Sequence, residues 1–228
     1  MIAIGDVHGE WRALRTMLAD HGIRASTLIQ VGDFGTVYTN DVAQSWLRDL
    51  VAFLDVSDCT LYAIRGNHDD PACFPGASPS PRLRYVADYT VLTLERKKML
   101  FVGGAISVDR VERGDTADQR AAERFAFDRT RLDRLDLTDL WAVVTHTAPD
   151  IAPPFGFGPL VQQYARDDGT LLHELTAERR AMTDLYRAVT AHARPSWWLY
   201  GHFHAHASTE YEGTRFRLLD TKEMLSIG

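Results

Sequence analysis

"MIAIGDVHGEWRALRTMLADHG", residues 1–22, holds a complete structural unit. Its first four residues are apolar enough for a short buried strand, and "GDVHG" (5–9) is too polar and glycine-flanked to continue it. Trp11, Leu14 and Leu18 then recur on one helical face, with Gly22 as the stop. The unit repeats. "STLIQVGD" (26–33) reads as a second strand, and the helix after it is capped by Thr39 or Asn40, with Val42, Trp46, Leu50 and Leu54 as an apolar stripe. "TLYAIRGNHDD" (60–70) is a third strand ending in polar residues. Strand, helix, strand, helix, strand predicts an α/β fold with a parallel sheet whose faces are covered.

Beyond residue 70 the rhythm loosens. "PACFPGASPSP" (71–81) carries four prolines and reads as a loop. "TVLTLERKKMLFVGG" (90–104) predicts two strands around a charged turn, "ERKK", and residues 119–135 are expected to be helical. "WAVVTH" (141–146) is a short buried strand, followed by a Pro/Gly/Phe segment that is either a stiff connector or a wall for substrate. A helix is expected over 172–192, with Leu172, Leu175, Met182, Leu185, Tyr186 and Val189 on one side. "WWLYGHFHAHAS" (197–208) is a strand broken at Gly201, and "HASTEYEGTRFRLLD" (206–220) a hairpin turned at Glu212-Gly213. No repeat interrupts the chain, so residues 1–228 are expected to form one domain.

Composition narrows the classes of function. The formal charge of −6 argues against a broad phosphate-backbone binder, so nucleic acid is not the expected partner. No apolar run approaches the roughly 20 residues of a membrane span. Cys59 and Cys73 form neither a CxxC pair nor a disulfide framework, and "MIAIGD" reads as the first strand from Met1, so no leader is expected. Both point to a reducing cytoplasm.

The chemistry gathers at the strand ends. The first strand delivers Asp6 and His8, the second Asp33, the third Asn67, His68 and Asp69, the "WAVV" strand His146, and the "WWLY" strand His202 and His204. Open α/β sheets collect ligands outside the carboxyl ends of their strands. Residues i and i+2 of a strand share a face, so Asp6/His8 and His202/His204 are each expected to emerge as a pair aimed at one point. Oxygen and imidazole donors without thiolate suit manganese, iron, zinc or cobalt rather than a cysteine-zinc site. The donors are too many for one tetrahedral ion and fit two ions bridged by a carboxylate. His206 follows the pair and is expected to be a solvated loop residue.

"GDVHG", "GD", "GNHD", a lone His after a strand and "GHFH", in that order across residues 6–204, resemble the calcineurin-like metallophosphoesterase superfamily. The resemblance implies a fold of two mixed β-sheets packed as a sandwich and flanked by helices. It implies hydrolysis of phosphate esters by a metal-bound hydroxide, most simply by a phosphatase acting on a small or medium ester. A phosphodiesterase or nuclease, and a non-catalytic interaction module on the same fold, are the alternatives. It implies two divalent ions, manganese first, with Asp6, His8 and His204 on one, Asn67, His146 and His202 on the other, and Asp33 bridging. His68 would face the phosphate and protonate the leaving oxygen.

The sequence departs from the protein phosphatases of that superfamily in its second motif, "GDFGTVY" (32–38). Thr36 stands where they carry the aspartate that orients the catalytic histidine, and their adjacent arginine is missing. Asp69 is the candidate for the orienting role. Arg65, Arg110 and Arg113 are candidates to hold substrate phosphate oxygens, because a guanidinium grips them bidentately.

Overall fold

A computed structural model describes residues 1–76 and 78–228; Ala77, inside the expected proline-rich loop, lies outside the described residues. β1 (Ile2–Ile4), α1 (Trp11–Asp20), β2 (Thr27–Gln30), α2 (Asp41–Val56) and β3 (Thr60–Ala63) follow the alternation read from the sequence. β1, β2 and β3 pair in parallel, β4 (Leu83–Tyr85) extends the sheet beyond β3, and β11 (Met224–Ser226) closes its other edge antiparallel to β1.

The second sheet runs β5–β6–β7–β8–β10–β9. It contains β5 (Thr90–Leu94), β6 (Lys97–Val102), β7 (Leu140–Thr145), β8 (Trp197–Tyr200), β9 (Ala207–Tyr211) and β10 (Thr214–Leu218). Antiparallel hairpins at both edges flank a parallel centre, so this sheet too is mixed. The architecture is therefore two mixed sheets flanked by helices.

Strand residues alternate between two interfaces, as the pleat requires. Met99, Phe101, Ala142, Val144 and Leu199 face the other sheet, where Ala3, Ile29 and Ile64 meet them. Leu100, Val143, Trp198 and Tyr200 face α6 (Leu171–Thr190) through Met182, Leu185, Tyr186 and Val189. Burial on both faces is why these strands read as unbroken apolar runs. On the first sheet Ile4, Leu28 and Leu61 pack under Leu14 and Leu18 of α1 and Leu50 and Leu54 of α2.

Several expectations are corrected. The buried stripe of α2 is Ala43, Leu47, Leu50 and Leu54, with Val42 exposed, because residues spaced strictly by four drift around a helix of about 3.6 residues per turn. The Asn40 side chain caps the helix, accepting from the Ala43 N–H at 3.0 Å. Residues 119–135 are not one helix but α3 (Ala117–Glu123) and α4 (Arg129–Leu132). Thr116 caps α3 in a reciprocal box with Gln119, and Asp128 caps α4, so a second start signal divides the stretch. The Pro/Gly/Phe segment carries a short helix, α5 (Pro159–Tyr164), entered through its proline. Among the described residues no helix is long and apolar enough to cross a membrane.

Candidate metal centre

Every donor singled out at a strand end lies past its strand, on the loops at one edge of the paired sheets. His8, Asp33, His202 and His204 all have positive φ, at 49°, 55°, 70° and 43°. Four non-glycine residues in the left-handed region at one site mark a place where tertiary contacts override backbone preference. This corrects the strand-face argument. His202 and His204 sit on a left-handed bend after β8, and the bend, not the pleat, aims them.

The bend sends them to different neighbours. One ligand atom from each of Asp6, His8, Asp33 and His204 lies within 4.8 Å of the others, and a second group joins Asp33, His146 and His202 on the same criterion. Asp33 belongs to both. His8 Nε2 and His204 Nε2 are 2.9 Å apart, and His146 Nε2 lies 3.0 Å from Asn67 Oδ1 and 3.3 Å from Asp33 Oδ1. Asn67 thus abuts the second group through its carbonyl oxygen.

Neighbouring groups orient the donors. His146 Nδ1 donates to the Val31 carbonyl at 2.8 Å, which turns Nε2 towards Asp33 and Asn67; burial opposes charge on this ring, but the Asp33 carboxylate outweighs it and pushes the pKa up to about 9, so ligation through Nε2 would displace a proton. Asn67 donates its amide to Ser107 Oγ at 2.8 Å, turning Oδ1 inward. The His202 N–H donates to Asp6 Oδ2 at 2.9 Å, and the His68 N–H to Asp33 Oδ1 at 2.8 Å. The motif glycines leave room for this interlocking. A Cβ on Gly66 would lie 2.0 Å from Asp33 Oδ1, and one on Gly201 2.0 Å from Asp6 Oδ1. Gly201→Ala is accordingly expected to displace the Asp6 carboxylate and cost about 10–100-fold in metal affinity, the range for disturbing the groups that orient a ligand. Isothermal titration with manganese checks this, and unchanged affinity would refute it.

Asp6 and Asp33 are about 1% exposed, yet their only cationic partners among the described residues are histidines. Buried carboxylates need pairing or a cation. Burial opposes ionisation of Asp33, but the adjacent His146 outweighs it and holds the carboxyl far below the usual range. Burial pushes His202 well below the ordinary histidine value and His8 down as well, keeping both rings in the neutral form that ligates. The donor set fits divalent cations.

The expected substrate-side residues fall elsewhere. Asp69 does not touch His68. Its carboxylate accepts from the backbone N–H groups of Phe34, Gly35 and Thr36 at 3.0, 2.7 and 2.9 Å and from Gly66 at 2.8 Å, stitching the second motif loop to the third. Arg65 pairs with Asp88 at 2.8 Å and donates to the carbonyls of Ala122, Glu123 and Arg124, so its fork is occupied.

Arg110 is 2% exposed and engaged by Asp168 at 2.6 Å, Glu174 at 2.7 Å and Thr170 at 3.0 Å, which removes it from the phosphate role. Its deletion is expected to destabilise the fold by about 3 kcal/mol, because Asp168 stays buried without its cation, keeping only the Thr170 N–H and hydroxyl. The Arg110 hydrogen bond holds the Asp168 carboxyl down at about 2, against an ordinary value of 3.8. This contribution is therefore present above pH 3.8 and fades as pH falls towards 2. Denaturant melts of Arg110→Ala at pH 7 measure the loss; a change under 1 kcal/mol would contradict it.

Arg113 does reach the site, but through His68: its Nη1 lies 3.2 Å from His68 Nδ1, while Asp115 and Glu123 hold the rest of the guanidinium. No sequence motif marks it as that histidine's partner. His206 stands apart on Glu223 and Arg217, outside both ligand groups.

Beside the ligand groups opens a cavity of about 400 Å³. Asp33, Asn67, His68, His202 and His204 form one side, and Phe157, Leu160, Val161, Tyr164 and Leu175 part of the other.

Two sheets between helix layers, with two oxygen-and-imidazole ligand groups sharing one aspartate at the loop edge, define a metal-dependent phosphoester hydrolase. The chain belongs to the calcineurin-like phosphoesterase family, whose model matches residues 1–206. No curated protein matches it by sequence. Among solved structures it is similar to a dimetal phosphatase from Danio rerio, with TM-score 0.52 and 11% identity over 97% of this chain and 87% of that one. It is also similar to phosphopantetheinyl hydrolase from Mycobacterium tuberculosis, with TM-score 0.50 and 16% identity over 96% and 89%. At these identities the likeness is one of fold.

Proposed function

We propose that this protein is a phosphatase that hydrolyses a phosphate monoester of a small or medium-sized alcohol, using two divalent ions, manganese foremost. Asp6, His8 and His204 would hold one ion, Asn67, His146 and His202 the other, and Asp33 both. The observation that carries the reading is the membership of Asp33 in both ligand groups. When bound, such a pair of ions supplies Lewis acidity towards the phosphoryl oxygens and lowers the pKa of the attacking water.

The chain's own groups do the rest. Asp33 is held by the His68 N–H, so the peptide of His68 fixes the shared carboxylate while its ring faces the cavity. Arg113 can only donate, so His68 Nδ1 accepts, and the neutral ring carries its proton on Nε2. We assign that Nε2–H to the leaving oxygen as a hydrogen-bond donor that stabilises its developing charge; the proton that the alcohol finally takes comes from solvent, because a neutral imidazole that gave up Nε2–H would be left an imidazolate. Arg113 then positions the imidazole rather than gripping phosphate, and Asp69 keeps the two motif loops in register.

Hydrolysis of nitrophenyl phosphate and of bis-nitrophenyl phosphate by manganese-loaded protein, with metal analysis alongside, tests the reading. Two equivalents of metal and preference for the monoester are expected. One equivalent or less under excess manganese, or diester preference, would overturn it.

A further inference from the structure

Glu123, the last residue of α3, is buried near the metal centre but belongs to neither ligand group. Glutamates are seldom buried unless paired, and each oxygen of this one has a separate task. Oε2 accepts from Arg113 Nη2 at 2.5 Å, and Arg113 Nη1 lies 3.2 Å from His68 Nδ1. Oε1 accepts from the Ser107 N–H at 3.2 Å, and Ser107 Oγ takes the amide of Asn67 at 2.8 Å. One carboxylate thus reaches both Asn67 and His68, neighbours in "RGNHD" (65–69), through one intermediary each.

The same stretch holds Glu123 in turn. Arg65 Nη1 donates to the Glu123 carbonyl at 2.7 Å and to that of Ala122 at 3.1 Å, and its Nη2 to that of Arg124 at 3.2 Å. These carbonyls end a helix, where partners are missing and a cation is favourable. The Ala105 N–H adds a bond to the Glu123 carbonyl at 3.2 Å. Backbone and side chain of Glu123 are therefore both fixed. Asp109 and Asp115 also face Arg113, but they lie within its own turn and move with it. Glu123 is the tie from another element.

We infer that Glu123 is a positioning residue of this site. Through Arg113 it fixes the His68 ring with Nδ1 accepting and the proton on Nε2, and through Ser107 it fixes the amide of Asn67. The inference rests on the phosphatase reading for its effect on turnover, and on geometry alone for its effect on the ring.

Glu123→Gln separates the two arms. Its single carbonyl oxygen goes to the Ser107 N–H, which is buried and has no other acceptor among the described residues, while Arg113 keeps Asp115. The amide NH2 then meets Arg113 donor to donor. Long-range proton–nitrogen NMR correlation of the zinc-loaded full chain, at about pH 8 where free imidazole is neutral, reads the His68 tautomer. The parent protein is expected to hold the Nε2–H form alone, and Glu123→Gln a mixture of both forms. Arg113→Lys keeps a cation before Asp115 and Glu123 but has no second nitrogen for His68, so it should give the same mixture. Zinc affinity of Glu123→Gln should fall by far less than the roughly 10–100-fold that loss of an orienting group costs, because the Asn67 arm is kept.

In turnover of an alkyl phosphate, Glu123→Gln is expected to lower kcat about tenfold, part of what the His68 hydrogen bond supplies. In a His68→Ala background it should cost nothing further, since residues acting through one another are not additive. A carboxylate that only stabilised the fold would lower activity alike in both backgrounds.

Mixed tautomers in the parent, the Nε2–H form alone in Glu123→Gln or Arg113→Lys, or equal losses in both backgrounds would overturn the inference. A tautomer shift as expected, with no hydrolysis of phosphate monoesters by the parent, would instead overturn the phosphatase reading and leave the positioning role standing.

Discussion

Asp33→Asn is expected to reduce phosphoester hydrolysis by a factor on the order of 10⁴, comparable to removing a central catalytic group. The same change should leave the protein folded. The reasoning is one of charge and position. Asp33 is the one residue common to both ligand groups, is almost fully buried, and has only imidazoles as cationic partners. Asparagine keeps the shape and can still accept the His68 N–H through its carbonyl oxygen, but it removes the negative charge that both ions would share. Both metal equivalents should weaken together. His206→Ala is the control, because that ring rests on Glu223 and Arg217 on the surface. Metal analysis after dialysis, paired with nitrophenyl phosphate assays, reads both variants. Loss of one equivalent only, or equal losses of activity from both substitutions, would mean that Asp33 does not bridge.

His68→Ala should behave differently, lowering kcat by about 10²–10³, the usual worth of one hydrogen bond to charge that develops in the transition state, while both metals remain. The ring lies edge-on to His8 at 5.3 Å, lines the cavity, and carries its proton on Nε2 because Arg113 holds Nδ1. If that proton serves the leaving oxygen, the loss shrinks for nitrophenolate, which leaves without help, and is largest for alkyl esters. A loss of equal size across leaving groups would place the Nε2–H on a non-bridging phosphate oxygen instead. A metal-depleted variant would make His68 a ligand.

Much of this was legible before any coordinates. The first five elements, the hairpins and the polar strand ends follow from apolar periodicity and from glycine and proline punctuation, which are local properties of the chain. Donor chemistry was legible for the same reason, since Asp, Asn and His announce their ligand atoms wherever they stand. Residues 119–135 were misjudged because a second cap, at Asp128, divides the helix, and the stripe of α2 because strict four-residue spacing drifts off the buried face, which leaves Val42 exposed while Leu50 and Leu54 stay buried. His202 and His204 do not follow the pleat of β8, because left-handed backbone at both positions is imposed from outside the segment.

The identity and order of the donors, the alternation of strands and helices and the net charge of −6 were thus properties of the sequence by itself. Which donor meets which was decided only in three dimensions. His8 and His204 touch across 196 residues, His146 and the Val31 carbonyl across 115, and Arg113 and His68 across 45. Arg65, Arg110 and Arg113 are indistinguishable as residue types, and only packing against Asp88, Asp168 or His68 separates a clamp, a buried pair and a partner of the site. The apolar cavity has the same origin: its walls come from α5, α6 and the bend after β8, and no one segment carries enough of them for periodicity to reveal the space they enclose. Local pattern reports what each residue can do. Contact across the two sheets decides what it does.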